Sequence, residues 1–272
     1  MTSIVVTGGT RGIGYGLARA FVARGAHVTI CGRTEASARS AAESLGPNVV
    51  GVAADVSRRA DTEHLWGAAV ERFGGVDHWI NNAGTAFRPS LLWEAEDSEL
   101  RQVVEVNLVG AINGCAVAIS GMLSQRSGFV WNMLGFGGNG HVSRGMAAYG
   151  CTKWALEYLH RSLLLETKGT AVSVGLLDPG LVSTDLVAEN EMATHELRGE
   201  RQRRYYELLT EPVGVVAPWL ADQVLSAKRT DARAYRLTPS RAVPRLAFAS
   251  VRERLGRPAT PSREPENATH AR

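Results

Sequence analysis

Cysteine is scarce. Cys31, Cys115 and Cys151 are the only three in 272 residues, odd in number, far apart, and without C-x-x-C or partnering histidine spacing. That excludes a disulfide framework and reads as free thiols in a reducing compartment, and no set of residues is spaced to hold a metal. Net charge is also small, +3, too little to suggest nucleic-acid binding. No basic-then-apolar segment opens the chain and no apolar run reaches membrane-spanning length, so the expected location is the cytoplasm. There is no internal repeat and no second domain boundary, and the length suits one large α/β domain that buries a full central sheet. The one imbalance lies at the end. From Lys228 onward eleven Lys/Arg face four Asp/Glu, a basic patch that reads either as a solvated face or as a contact for an acidic partner or membrane surface.

The chain is organised around its opening. A β-branched run, Ile4 to Thr7, empties into glycines at Gly8, Gly12 and Gly14, and an apolar-periodic helix follows through Leu17, Ala18, Phe21 and Val22. A turn without side chains lets the backbone approach a pyrophosphate, whose charge meets the unpaired N–H groups and positive dipole end of the helix. The glycine spacing is wider than G-x-G-x-x-G, so that fingerprint matches in mechanism only. The simpler alternative is a glycine-rich turn with no ligand.

Beyond it, strands and helices alternate. Strands are expected at 3–7, 27–31, 49–54, 76–80, 128–133, 171–177 and near 234–237, with helices near 12–24, 35–44, 58–73, 98–124, 149–167 and 213–227. Alternation of this kind predicts a parallel sheet of about seven strands, doubly wound by right-handed crossovers, with helices on both faces and ligand at the strand C-termini.

The form T-G-x-x-x-G-I-G, Thr7 to Gly14, resembles the short-chain dehydrogenase/reductase family, over roughly the first two hundred and forty residues. The resemblance implies a single Rossmann-type domain and a nicotinamide cofactor. Thr10, Arg11 and Ile13 belong to the same cofactor turn. The second strand ends in Gly32-Arg33-Thr34, where an acid would hold the ribose hydroxyls of the unphosphorylated cofactor. The acid is missing. Arg33, with Arg11 at a neighbouring strand end, suits a 2′-phosphate and favours NADP(H), although both arginines also read as surface residues. Asp55-Val56 after the third strand falls where the family bonds the adenine, or else at the start of a helix. Asn81-Asn82-Ala83-Gly84 matches the N-N-A-G that steadies the sheet and lines the adenosine ribose, and Met133 closes the fifth strand beside the cofactor. Pro179-Gly180, Val182 and Thr184 match the P-G-x-V-x-T that meets the nicotinamide carboxamide.

Chemistry rests on Tyr149-Gly-Cys-Thr-Lys153, spaced i and i+4 so that both side chains leave one helical face. A phenol titrates near 10, and a neighbouring ammonium lowers that value toward the range where it exchanges a proton with a carbonyl or alcohol. Lys153 also falls where the family holds the nicotinamide ribose. Asn107, one amide among apolar residues in the fourth helix, needs a bonding partner and matches the family Asn that bends the helix and holds a relay water; a satisfied structural amide is the alternative.

One hydroxyl is missing. The family places a serine just past strand five, and here Gly135 stands in its place. Losing such a donor costs on the order of 3 kcal/mol of barrier unless something replaces it. Ser143, Asn139, His141 or a substrate group are the possible replacements, and Gly135, Phe136, His141 and Leu186 are expected to line the substrate pocket. The N-M-x-G-x-G-x-x-G run from Asn132, with Trp219-Leu220 and Leu237-Thr238-Pro239, looks like the chlorophyll b reductase branch of the family, which implies a serine-free reductase with a large pocket.

A charged helical stretch from Glu189 to Tyr206, within 186–210, falls where the family keeps a substrate lid, with Met192, Leu197, Tyr205, Tyr206 and Leu209 toward the pocket. Residues 241–255 form a basic amphipathic helix, expected on the domain or a subunit mate rather than a membrane, and 256–272 are expected to be disordered. The expectation is therefore an NADPH-dependent ketoreductase acting on a bulky hydrophobic small molecule, as a homodimer or homotetramer packed through helices 98–124 and 149–167. An imine reductase is the rival within the family, and a cofactor-binding regulator without turnover the rival outside it.

Overall fold

The computed structural model describes residues 1–86, 89–184, 204 and 208–256. The expected sheet is there: β1 (Ser3–Val6), β2 (His27–Gly32), β3 (Val49–Ala53), β4 (His78–Asn81), β5 (Gly128–Met133), β6 (Val172–Asp178) and β9 (Ala232–Tyr235) pair in the order β3-β2-β1-β4-β5-β6-β9, all parallel. Between them run α1 (Gly12–Val22), α2 (Glu35–Leu45), α3 (Arg59–Phe73), α4 (Asp97–Val104), α5 (Gly110–Gln125), α6 (Ala147–Glu166), α7 (Val213–Ser226) and α8 (Pro239–Gly256).

Each strand alternates between two apolar cores, which is why it reads as a continuous hydrophobic run. Ile4 and Val6 face one core with Leu17 and Phe21 of α1, Leu45 of α2 and Leu220 of α7. Val5 faces the other with Leu65 of α3, Met122 of α5 and Leu163 of α6. The chain order reverses between β1 and β4, and a crevice at the strand C-termini follows from that reversal.

Four features depart from the sequence expectations. The long fourth helix is broken by a π turn at Glu105–Val109, centred on Asn107, so α4 and α5 flank an irregularity that apolar periodicity does not report. Taken together, Asp97–Gln125 is also long and apolar enough to cross a membrane by length and composition. The absence of an apolar run of that length is thus corrected. Half of its apolar window is buried, against α3, α6 and the sheet, as in a core helix. The last strand lies two residues earlier than expected, at Ala232–Tyr235, because it pairs with β6 from Gly175 onward. Finally, β7 (Val182–Ser183) and β8 (Glu211–Pro212) pair as a two-stranded sheet, too short to leave a period in the sequence.

Three arginines of the basic C-terminal region, Arg233, Arg236 and Arg245, pair with acids within the chain. Arg236 donates from Nε and Nη2 to both carboxylate oxygens of Glu211 at 2.8 Å, and Arg245 of α8 adds a third bond at 2.8 Å. Arg236 and Arg241 each lie 5.2 Å from the Trp219 ring, and Arg233 pairs with Asp231 and Glu157. The first turns of α8 therefore pack on the domain. Leu209 is buried, whereas Leu186, Met192, Leu197, Tyr205, Tyr206 and the tail 257–272 lie outside the described residues.

The arginine bonds hold the Glu211 carboxyl at about 2, below its usual 4.5. A carboxylate held low contributes stability that is complete above its unfolded value and fades as pH falls through its folded one. Glu211→Gln is expected to cost about 2 kcal/mol at neutral pH. The deficit against wild type should stay constant above pH 4.5 and close as pH falls toward 2, as read from thermal unfolding midpoints.

Candidate active site

The cofactor residues expected from the sequence gather where the sheet reverses. Gly8 and Gly12 adopt positive φ, 64° and 58°, which a side chain would disfavour, and the turn delivers the chain into α1 with no side-chain cap on its first N–H groups. A Cβ on Gly8 would lie 2.8 Å from Ala83 Cα, so the turn presses against the N-N-A-G segment. Asn82 secures this contact by donating from Nδ2 to the Thr7 carbonyl at 2.8 Å, while Thr7 Oγ1 accepts the N–H groups of Asn82 and Ala83 at 3.0 Å each. A backbone cradle of this kind, aimed along a helix axis, fits a dinucleotide pyrophosphate.

Thr10 sits over Gly32, whose added Cβ would lie 2.6 Å from Thr10 Cγ2. The β1 turn and the end of β2 are therefore in contact, each followed by an exposed arginine, Arg11 and Arg33. Thr34 caps α2 by accepting the Ser37 N–H. Asp55 does not cap α3, whose N-cap is Arg58; its Oδ1 accepts both the N–H and the hydroxyl of Ser57, setting the turn that carries Val56. Across the crevice, Pro179 and Gly180 begin a loop that brings Thr184 to where a Cβ on Gly12 would lie 3.8 Å from its methyl.

Tyr149 and Lys153 project from α6 as their spacing demands. Lys153 is buried, 4% exposed, with Nζ donating to the Met133 carbonyl at 3.2 Å and lying 5.7 Å from the Tyr149 ring centre. Burial pushes its amine down to about 8, against the opposing pull of the Asp178 carboxylate. The pair brackets Gly135: a Cβ there would lie 2.7 Å from Tyr149 Oη and 3.6 Å from Lys153 Cε. The space a serine side chain would fill is thus closed by the tyrosine hydroxyl itself.

Asn107 is fully engaged. Its Oδ1 accepts the Thr85 N–H at 2.7 Å, and its Nδ2 donates to the Thr85 carbonyl at 2.9 Å and to Thr152 Oγ1 at 3.3 Å. The amide thereby joins the segment after β4 to α6, and the π turn is what aims it there. Gly84 stands between, a Cβ on it falling 3.4 Å from Asn107 Oδ1 and 3.7 Å from Lys153 Nζ. Of the expected pocket residues, Gly135 is buried, Phe136 is half-buried and His141 is exposed, its N–H bonded to Asn139. Leu186 lies outside the described residues.

Sequence reading passed over Asp178. It ends β6, is 7% exposed, and accepts the Gly180 N–H at 2.9 Å. An acid directly before Pro179-Gly180, at the tip of an otherwise apolar strand, was the available signal.

A family model for the short chain dehydrogenases matches residues 2–194, and the chain belongs to that family. It is 35% identical over 233 residues to a chlorophyll(ide) b reductase, NOL, of Arabidopsis thaliana, covering 82% of this chain and 65% of that protein. The chain spans between about half and two thirds of the length of the chlorophyll(ide) b reductases it matches. Among solved structures, a closed serine dehydrogenase complexed with NADP+ superposes with a TM-score of 0.76 at 21% identity, covering 88% of this chain and 96% of that one. A 3-ketoacyl-(acyl-carrier-protein) reductase from Brucella melitensis complexed with NADH gives 0.75 at 25% identity, covering 86% and 95%. The family is one of oxidoreductases that use nicotinamide cofactors, and the two solved neighbours hold NADP+ and NADH.

Because Gly135 is buried against Tyr149, a single added methyl overpacks the site. Gly135→Ala is expected to lower stability by about 1–3 kcal/mol, seen as a lower urea midpoint at unchanged m-value.

Proposed function

We propose that this chain is an NADPH-dependent reductase of the C=O group in a fairly large, hydrophobic small molecule, with Tyr149 as proton donor. The observation that carries the reading is that the Tyr149 hydroxyl and the Lys153 stem both pack on Gly135 just past β5, with the buried Lys153 amine 5.7 Å from the Tyr149 ring centre. The bound nicotinamide would supply the hydride. The turn from Gly8 to Gly14 holds the pyrophosphate on the N-terminus of α1, Asp55 and Val56 meet the adenine, and Arg33 with Arg11 grips the 2′-phosphate.

Lys153 does two things in this scheme. Its ammonium stabilises the phenolate left when Tyr149 gives up its proton, and its donors hold the nicotinamide ribose. Asn107, anchored on Thr85, fixes the water path that returns a proton to Lys153 and Tyr149. Gly135 removes the usual second donor to the substrate oxygen and lets the Tyr149 hydroxyl settle into the room that donor would take. The similarity to chlorophyll(ide) b reductases is consistent with a large substrate without naming it. Since that second donor is the one most suited to a carbonyl oxygen, a C=N acceptor is the second reading. Exposed apolar side chains along α5 and α6, Ile112, Trp154, Tyr158 and Leu165 among them, support assembly into a homodimer or homotetramer.

Tyr149→Phe should lower turnover about 10³-fold with NADPH still bound, measured as NADPH oxidation against matched ketones and cyclic imines. Turnover of imines alone would move the assignment to C=N. Arg33→Ala should raise the KM for NADPH about tenfold and leave that for NADH within a factor of two, the loss of one charge-assisted bond. Equal effects on both cofactors would refute the phosphate assignment.

A further inference from the structure

We propose that Asp178 is a positioning residue for the tyrosine–lysine pair: its carboxylate, at the C-terminal tip of β6 on the face covered by α6, is the counter-charge of the Lys153 ammonium. The inference rests on the reading of Tyr149 and Lys153 given above.

Strand alternation fixes where this side chain points. Leu177 faces the core formed by α1, α2 and α7, whereas Leu176 packs with Leu134 and with Leu156 of α6. Asp178, two residues beyond Leu176, shares its face. On α6, Lys153 lies one turn before Leu156, and its Nζ rests on the carbonyl of Met133, which pairs with Leu177 in the adjoining strand. The amine and the carboxylate therefore approach the same end of the β5–β6 ladder from helix and strand.

Both groups are buried, Lys153 at 4% exposure and Asp178 at 7%. A buried ammonium resting on one carbonyl is strongly disfavoured unless an opposite charge accompanies it. Burial pushes the Asp178 carboxyl up and the Lys153 amine down, and each pulls the other back toward its charged form. Among the described residues, few other groups face the pair. Tyr149 comes from α6 itself, and His141, from the loop after β5, also draws Asp178 toward ionisation. Asn107 and Gly84 bring no charge, and Arg236, whose N–H bonds the Asp178 carbonyl, commits its guanidinium to Glu211.

Asp178 also shapes the cofactor side. By accepting the Gly180 N–H it closes the turn that opens the Pro179–Thr184 loop, so one carboxyl sets both the charge on the lysine and the path of the loop beside it.

The chain contains three lysines, Lys153, Lys168 and Lys228, which makes the titration readable by NMR of 13Cε-labelled lysine in the full-length protein without cofactor. Asp178→Asn keeps an acceptor for Gly180 and removes the charge. The Lys153 titration should then fall by about one unit, and the alkaline limb of NADPH oxidation should move down with it. In Lys153→Met the reciprocal effect should raise the Asp178 carboxyl titration by about one unit, read with 13Cγ-labelled aspartate, so the test survives if Asp178→Asn does not fold. Titrations unmoved in either folded variant overturn the proposal. A Lys153 titration that moves while the pH limb stays fixed upholds the pairing and overturns the proton-donor reading instead.

Discussion

A lysine amine removed from water is the constraint to which the site's other features answer. Lys153 is held against the Met133 carbonyl, and moving an ammonium into such a place costs several kcal/mol unless dipoles and charges are already arranged around it. Those arrangements involve separate elements: the carbonyl end of β5, the acid at the tip of β6, the tyrosine one helical turn earlier on α6, and Gly84 leaving room at the end of β4. Burial keeps the amine at about 8, near the range where it changes charge under ordinary conditions. A lysine in water would titrate more than two units higher and would not respond to its surroundings.

The same logic governs the cofactor side. Thr7, Gly8, Asn82 and Ala83 lock the ends of β1 and β4 together at the point where strand order reverses. Buried backbone groups must be bonded, and here the side chain of Asn82 and the hydroxyl of Thr7 supply partners that regular pairing cannot provide at strand ends. Beneath them Trp79 bonds Asn81, and Asn81 bonds Asn132, carrying a polar link from β4 to β5 under the reacting groups. The Asn81–Gly84 tetrapeptide therefore braces the glycine turn.

Much of the site could be read in advance because its signals are local. Tyr149 and Lys153 are one helical turn apart, the glycine turn is contiguous, and the alternation of strands and helices needs only periodicity. Asn107 was legible as an amide out of place among apolar neighbours, but not its partner Thr85, twenty-two residues away, nor the π turn that aims it. Asp178 was passed over because its meaning depends on Lys153, on another element. Four arginines of the basic end, Arg233, Arg236, Arg241 and Arg245, read as surface charge in the sequence until Glu211, Asp231, Glu157 and Trp219 are brought beside them.

The sequence by itself determined the doubly wound parallel sheet, the cradle after the first strand and the tyrosine–lysine face, since each depends on spacing within one or two elements. Only the tertiary structure decided that the tyrosine hydroxyl occupies the room left by Gly135, that an acid on β6 faces the lysine, and that α8 is tied to the domain through Glu211. Those outcomes depend on distances between elements far apart in the chain, which are set when the two cores pack and not before.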